Sequence, residues 1–377
     1  MSLSSIQDFV EPVNLDLLSK DEGYRDTQLG KHILVNQGNL PDISNADIVI
    51  IGAGECRGAG FALNAYEAAD AIRAAFYNLY YWHAQVTIAD IGNVKLGQTI
   101  SDSYAALRTV ISELILQNKK VVIIGGSHDL TLAQYHAYTS IPTLVNAVVV
   151  DAKIDLDLEA RLPSDHFLEE LFTGLPNHLN HYAHIGFQSY FMHPHMLETI
   201  DKLRFDCFRL GKVRENIEEM EPVVRDSHLM SFDISAIQNA HAPANLVTPN
   251  GFNGEEACVL MQYAGMSWKT STIGLYGYQA EHDQNGLTAV QMAQMLWYIV
   301  DGVHRGKKES PLTDLERFKE FHIAFTDIDT KFLQSKSTGR WWMQLHNEQW
   351  CPCSYKDYLV ASNNEIPERW LRALERE

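Results

Sequence analysis

The sequence lacks the features that mark several large protein classes. It contains no apolar run approaching the roughly 18 residues of a membrane helix, and its N-terminus has no cationic start before an apolar block. We therefore predict neither a membrane span nor a signal peptide. Cysteine is scarce, with five residues, and the CxC of Cys351 and Cys353 does not have the spacing of a zinc site. We expect reduced structural thiols in a cytoplasmic protein.

Positive charge is also in short supply. The chain has 30 lysines and arginines against 48 aspartates and glutamates, so its formal net charge is −18. The densest basic run, residues 304–308, is short and is followed at once by Glu309. A chain this acidic is repelled by phosphate backbones and by anionic lipids. We expect neither a nucleic-acid partner nor a membrane partner.

The sequence does contain a repeated pattern of short β-branched runs, each followed by a segment with helical spacing. This alternation predicts a three-layer α/β fold, with a mostly parallel sheet and helices on both faces. We predict one domain over residues 1–377, with an aromatic-rich segment, 303–377, that packs on it or on a neighbouring subunit. The runs indicate about eight strands, which are Ala46–Ile51, Gln85–Ile91, Lys120–Ile124, Ala147–Asp151, His181–Phe187, Phe205–Val213, His228–Ile234 and Thr270–Tyr276.

Polar residues cluster where three of these runs end. Ligands of a parallel sheet bind beyond the carboxyl ends of its strands, and residues two apart on a strand point to the same face. Carboxylates combined with one imidazole suit a hard to borderline divalent ion such as Mn²⁺. The three segments are Gly125-Gly126-Ser127-His128-Asp129-Leu130-Thr131, Asp151-Ala152-Lys153-Ile154-Asp155 and Ser231-Phe232-Asp233-Ile234-Ser235.

In these segments the chain resembles the ureohydrolase family of arginase, agmatinase and formiminoglutamase. The family has the motifs GGxHxLT, DAHxD and SxDxDxxDPxxAP. The three segments of this chain correspond to them in the same order and at about the same spacing, although some motif positions carry other residues. The likeness spans about residues 46–300 and is nearest to formiminoglutamase-like members. It implies an arginase-like fold, a metal-dependent hydrolase that acts on a small-molecule substrate, and a homo-oligomer.

The resemblance also implies which residues hold metal. In the family two Mn²⁺ ions share the site, and the first ion's ligands are all kept here, as His128, Asp151, Asp155 and Asp233. The second ion's own histidine and aspartate are replaced by Lys153 and Ser235. The two replacements add as much positive charge as one missing divalent ion carried. We therefore hypothesise that one Mn²⁺ stays and that the Lys153 ammonium takes the place of the other in catalysis. The alternative is a salt-bridged remnant without metal.

Two further residues are candidates through the same resemblance. His166 falls where the family has a substrate-contacting loop, which makes it a candidate proton shuttle; a polar surface residue is the plainer alternative. Gln279 falls where the family carries a glutamate that meets a cationic guanidine or amidine group. An alignment shifted by two positions places Glu281 there instead. With Gln279 in that place, the site has lost a reason to prefer a cationic substrate.

Two functions follow as expectations. The first is hydrolysis of a C–N bond in a linear amidine, guanidine or related amide, with a formiminoglutamate-like substrate. The second is a catalytically inactive homologue that acts as a binding or assembly protein. The kept ligand quartet favours the first, and the changed motif positions favour the second, namely Lys153, Ser235, Gln238 and Asn239.

Overall fold

The structure, a computed structural model, describes residues 6–18, 23–62, 67–326 and 328–375. The strands in these ranges are β1 Val10–Glu11, β2 Leu34–Val35, β3 Ile48–Ala53, β4 Ile88–Val94, β5 Lys120–Ile124, β6 Val145–Val150, β7 Leu179–Phe187, β8 Asp206–Arg209, β9 Leu229–Asp233, β10 Thr272–Tyr276, β11 Phe318–Phe325, β12 Ile328–Ser335, β13 Trp341–Gln344 and β14 Trp350–Cys353. The α-helices are α1 Leu15–Leu18, α2 Glu67–Tyr77, α3 Ile100–Leu116, α4 Thr131–His136, α5 Pro163–Thr173, α6 Pro194–Lys202, α7 Leu210–Glu215, α8 Met220–Arg225, α9 Gly254–Met266, α10 Leu287–Gly306, α11 Tyr355–Ser362 and α12 Glu368–Leu374. Among the helices in these ranges, none is long and apolar enough to cross a membrane.

Ten of the strands form one sheet. Their order is β1-β4-β3-β5-β10-β9-β6-β7-β8, and β2 pairs with β4. The short strand β1 runs antiparallel to β4, and the other pairings described in this sheet are parallel. The predicted mostly parallel sheet is thus confirmed. It is larger than predicted because β1 and β2 have only two residues each, too few to leave a hydrophobic pattern.

Helices cover both faces of this sheet. Successive side chains of a strand point to opposite faces, and β3 divides accordingly. Its Ile48 and Ile50 join a core with apolar residues of α2, α9 and α10. Its Val49 and Ile51 join a second core with apolar residues of α3, α4 and α5. Burial on both faces explains why the strands read as unbroken apolar runs.

Each predicted run overlaps a strand, but Phe205–Val213 contains a much shorter one than predicted. Strand β8 ends at Arg209, and helix α7 begins at Leu210. In the sheet, β8 lies at an edge and pairs with β7 alone. Gly211 follows, and glycine is depleted in strands. With a ladder on one side only, little holds these residues in an extended conformation.

The aromatic-rich C-terminal segment forms a sheet of its own. Strands β11, β12, β13 and β14 pair antiparallel in chain order. This small sheet packs against α8 through Arg225, which is buried. The Arg225 guanidinium lies 4.2 Å from the ring centroid of Trp342 and donates to the Trp341 carbonyl at 2.9 Å.

Candidate metal centre

The centre of the large sheet assembles the site at its carboxyl edge. Strands β5, β10, β9 and β6 lie side by side there. His128 comes shortly after β5, Asp151 directly follows β6, and Asp233 is the last residue of β9. Because parallel strands end at the same edge of a sheet, three segments that are distant in sequence meet at one place.

Two close approaches of the backbone shape this edge. Gly126 has a φ of 84°, in the left-handed region that favours glycine, and a Cβ there would overlap the Leu130 side chain. The resulting tight turn brings His128 back over the sheet. Gly277, after β10, has a φ of 82°, and a Cβ there would overlap the Asp233 carboxylate.

The four predicted metal ligands come together and are buried. The His128 Nδ1 atom lies 2.9 Å from Asp151 Oδ2 and 2.9 Å from Asp155 Oδ2. Asp233 Oδ2 lies 3.9 Å from the same nitrogen. One imidazole nitrogen therefore faces three carboxylates.

A chain of hydroxyl groups determines the protonation of the His128 ring. Thr131 Oγ1 donates to the His128 carbonyl at 2.7 Å, so it must accept in its 2.6 Å hydrogen bond with Ser231 Oγ. The Ser231 proton is then used, and Ser231 Oγ accepts from His128 Nε2 at 3.0 Å. Proton counting thus assigns a hydrogen to Nε2. The nitrogen that faces the carboxylates, Nδ1, is left to bind a second proton or a cation.

Burial and charge together shift the pKa of every group in the quartet. Burial, reinforced by the charge of Asp151, raises the pKa of Asp233 to about 6 and holds the pKa of Asp155 well above its usual range. Burial opposes ionisation of Asp151 too, but hydrogen bonds from His128 and Ser235 bring its pKa to about 2. Burial alone would lower the pKa of His128, yet its bonds to Asp151 and Asp155 raise it well above the usual value. The quartet therefore attracts positive charge.

This donor set fits a divalent ion. Without a metal ion, the buried quartet must bind protons to lower its negative charge, as the raised pKa values of Asp155 and Asp233 indicate, because buried charge without a partner is costly. A divalent ion can take the place of those protons. Ligand atoms of His128, Asp151 and Asp233 all lie within 4.8 Å of one another. Ligands on opposite sides of an ion are about 4.4 Å apart at bond lengths of ~2.2 Å. Oxygen and imidazole ligands together suit Mn²⁺.

Ser235 takes up the side of Asp151 that faces away from His128. Its hydroxyl donates to Asp151 Oδ1 in a short hydrogen bond, and the Lys153 amide donates to the same oxygen at 3.1 Å. The Ser235 amide also donates to Asp233 Oδ1 at 2.7 Å. These bonds use the carboxylate oxygens that point away from Nδ1.

Lys153 does not lie where the charge argument places it. Its Nζ is 3.9 Å from Asp165 Oδ1, and 39% of its side chain is exposed. The residue still lines the same cavity as the quartet, at its open side. The physical reason is that Ser235 and the backbone already occupy Asp151 Oδ1, whereas beside Asp165 the ammonium keeps part of its hydration. In this respect the structure differs from the hypothesis that Lys153 replaces an ion.

His166 is also placed differently from the prediction. It lies in α5, and it is not among the described residues that line the cavity, whereas Ser164 and Asp165 are. The next residue, Phe167, packs edge-on against the His128 ring with centroids 5.0 Å apart. Neighbouring residues of a helix point in different directions, so the turn that aims Phe167 at the site aims His166 elsewhere.

Gln279 lies where the resemblance implies a substrate-binding residue. It lines the cavity with only 7% of its surface exposed. Glu281, the alternative two positions later, is exposed and pairs with His282 at 3.5 Å. Of the two candidates, Gln279 therefore lines the cavity and Glu281 does not, and the substrate-binding role of Gln279 stays a prediction.

Sequence reasoning missed three contributors to the site. Ser231 and Thr131 stand inside the quoted segments, and a signal for Ser231 existed, because it alternates with Asp233 on the same strand. His282 lines the cavity from the segment after β10. Its ring lies near Phe61, with centroids 5.9 Å apart, and no sequence pattern singled it out.

The cavity over the quartet is small, about 150 Å³. Part of its lining is apolar and exposed, including Leu246 and Val247. A larger cavity of about 780 Å³ lies at the amino ends of β6 and β7, where α8 meets the C-terminal sheet. None of the quartet's residues lines that larger cavity.

Comparisons with known proteins agree with this geometry. A profile of the arginase family matches residues 46–301. Formimidoylglutamase of Staphylococcus aureus (strain MRSA252) is 31% identical over 113 residues, which make up 28% of this chain and 36% of that protein. The crystal structure of Bacillus subtilis formimidoylglutamase is similar with a TM-score of 0.66 at 17% identity, over 76% of this chain and 95% of that one. That of Trypanosoma cruzi formiminoglutamase with Mn²⁺ has a TM-score of 0.62 at 16% identity, over 69% and 94%. The structural likenesses establish a shared fold.

Proposed function

Because this chain belongs to the arginase family, we propose that it is a metal-dependent hydrolase of the C–N bond in a linear amidine, guanidine or related amide. We propose one Mn²⁺ per chain, held by His128, Asp151, Asp155 and Asp233. In the reaction, the oxygen of water bonds to the central carbon, the C–N bond breaks, and the nitrogen leaves with a proton. A cytoplasmic location and a homo-oligomer stay predictions.

The observation that carries the proposal is the orientation of the His128 ring. The hydroxyls of Thr131 and Ser231 leave the hydrogen on Nε2 and turn Nδ1 toward three buried carboxylates. Metal-binding histidines usually donate their other ring N–H to a polar partner in this way.

The chemistry that a divalent ion supplies here is the acidification of water near neutral pH, which yields a nucleophile. The chain's own residues do the remainder. Gln279 is placed to bind and orient the reacting group from the wall of the cavity. The ammonium of Lys153 adds positive charge at the open side, where it can stabilise negative charge that develops on the substrate.

The structure also offers a reason why one ion suffices for the quartet. The Ser235 hydroxyl occupies Asp151 Oδ1, an oxygen that would otherwise be free to bind a second ion. Serine offers no negative charge to hold such an ion, and Lys153 adds a positive one nearby. Both changes oppose a second cation.

Metal stoichiometry tests the proposal. Purified protein is loaded with Mn²⁺, freed of excess metal and subjected to elemental analysis, with thermal unfolding measured in parallel. We expect about one ion per chain and a higher Tm with Mn²⁺, because an ion that binds only the folded state stabilises it. His128→Asn should abolish both effects. His136→Asn, in α4 with a partner at 3.2 Å outside the cavity, should keep both. A wild-type protein that retains no ion would refute the one-metal site.

A second function is favoured by the same two substitutions. The two residues that would bind only the second ion are replaced, and the Ser235 hydroxyl binds an Asp151 oxygen instead. These changes suit a homologue that has kept the fold as a binding or assembly protein. Such a protein would retain no metal, or would retain metal without hydrolysing any amidine, guanidine or amide to ammonia or urea. Activity screening of the Mn²⁺-loaded protein separates these outcomes from hydrolysis.

A further inference from the structure

We infer that the substrate is a small carboxylic acid whose reacting group is a neutral ureide or carboxamide, rather than a cationic amidinium or guanidinium. The inference rests on the proposed function and narrows it. It depends on two side chains of the cavity, Gln279 on its inner wall and Lys153 at its open side.

Gln279 presents unsatisfied hydrogen-bonding capacity to the cavity. Only 7% of the residue's surface is exposed, its side chain lines the cavity, and no hydrogen bond to its amide is made by the described part of the chain. A buried amide group is rarely left without a partner. Because it lines the cavity that holds the quartet, the missing partner is best supplied by a ligand.

The chemistry of an amide selects the partner. A carboxylate offers only acceptors and a negative charge, which match the two N–H donors of an amidinium. The Gln279 amide offers one C=O acceptor and one NH₂ donor group, which match the N–H and C=O of a ureide or carboxamide in a paired arrangement. An amidinium in the same place would set its N–H donors against the NH₂ of Gln279. Buried donors without acceptors are costly.

Among the described residues of the cavity, no acidic side chain takes the place of a glutamate beside Gln279 that would favour a cationic reacting group. Glu281, two residues later, is exposed and turned toward His282. Among the described lining residues, the other carboxylates are the metal quartet's three and Asp165. The quartet's carboxylates are directed at His128 and Ser235.

Lys153 supplies the recognition of the acid. Its ammonium is partly exposed, and Asp165 at 3.9 Å lies beyond hydrogen-bond distance, so its N–H donors are not taken up by that carboxylate. A substrate carboxylate a few atoms away from the reacting group can accept from it. Leu246 and Val247 line the same cavity and are exposed, and their apolar surface suits the short carbon chain that joins the two ends.

A matched pair of compounds tests the inference. 3-Ureidopropionate and 3-guanidinopropionate differ at one position of the reacting carbon. The first has a neutral carbonyl oxygen there, and the second has a =NH₂⁺ group that carries the positive charge. Their Kd values for the Mn²⁺-loaded protein are measured by calorimetry, and release of ammonia and of urea is measured in parallel. We expect the ureide to bind about ten- to a hundredfold more tightly, the effect of leaving one buried donor unpaired. Gln279→Glu should reverse the order. Lys153→Met should weaken 3-ureidopropionate while leaving propylurea, which lacks the carboxylate, unchanged.

The outcomes separate this inference from the proposed hydrolysis. Tighter binding of the guanidine by the wild type, an order unchanged by Gln279→Glu, or no binding of either compound would overturn the inference. Release of urea or ammonia from the guanidine, with no hydrolysis of the ureide, would overturn it while supporting hydrolysis. Selective ureide binding without ammonia release would support the inference and refute the hydrolytic function.

Discussion

The hydroxyl of Ser231 should control metal affinity although it does not touch the metal site directly. It accepts the hydrogen of His128 Nε2 at 3.0 Å and is itself held by Thr131 at 2.6 Å. Ser231→Ala removes this acceptor with almost no change of volume. The Nε2–H is then buried without a partner, and the ring loses the bond that places the hydrogen of its neutral form on Nε2 and aims Nδ1 at the carboxylates.

Two magnitudes bound the expected effect. A buried donor left unpaired costs about 1–3 kcal/mol, and removal of the partner that orients a metal-binding histidine weakens metal binding roughly ten- to a hundredfold. The two ranges agree, because tenfold in Kd corresponds to about 1.4 kcal/mol. We therefore expect the Kd for Mn²⁺ to rise at least about tenfold in Ser231→Ala.

The assay is Mn²⁺ titration of metal-free protein by calorimetry, with urea unfolding as the measure of stability. Ser227→Ala is the matched control: Ser227 is also buried, precedes the same strand, and donates to the Val224 carbonyl at 2.7 Å, far from the quartet. It should lower stability without changing the Kd for Mn²⁺. Equal Mn²⁺ affinity in both variants and the wild type would refute the hydroxyl chain as a determinant of the His128 tautomer.

Three further predictions concern the number of bound ions, the pH dependence of stability and the contact between α8 and the C-terminal sheet. Lys153→His combined with Ser235→Asp should raise Mn²⁺ from about one to about two ions per chain in elemental analysis, and a double variant that stays at one would contradict the account of the missing ion. Asp233 has a folded pKa raised to about 6, above an unfolded value near ~3.9. Its contribution to the stability of the metal-free protein is therefore full below about pH 4 and is lost as pH rises through about 6, on the order of 2–3 kcal/mol. Urea unfolding of metal-free Asp233→Asn should lack this loss, and a difference from wild type that does not change with pH would contradict it. Arg225→Met should cost about 2–4 kcal/mol in urea unfolding, because it removes a buried guanidinium from carbonyl acceptors and from Trp342, while Mn²⁺ stoichiometry stays the same.

The large sheet was predictable and the small one was not, for a physical reason. Strands buried on both faces are apolar throughout, and the helices between them separate one run from the next. In the C-terminal sheet, Phe332 of β12 packs into one cluster with Trp341, whereas Leu333 packs into another with Trp342. Aromatic residues are therefore buried on both sides of short antiparallel strands, and neither a clean alternation nor a separating helix marks where each strand begins.

The quartet was predictable because strand ends gather wherever a parallel sheet ends, but the occupant of the second ion's place was not. Counting charges treats Lys153 and Ser235 as equal contributors, yet the structure assigns them different tasks around Asp151. The Ser235 hydroxyl and the Lys153 amide share Oδ1, so no acceptor remains there for the ammonium, which extends toward Asp165 instead. Which donors bind one carboxylate oxygen depends on how far each side chain reaches and on how much hydration it would lose. A count of charges gives neither quantity. The Ser235 hydroxyl, with the Lys153 amide, therefore fills the side of Asp151 that the charge argument assigned to the Lys153 ammonium.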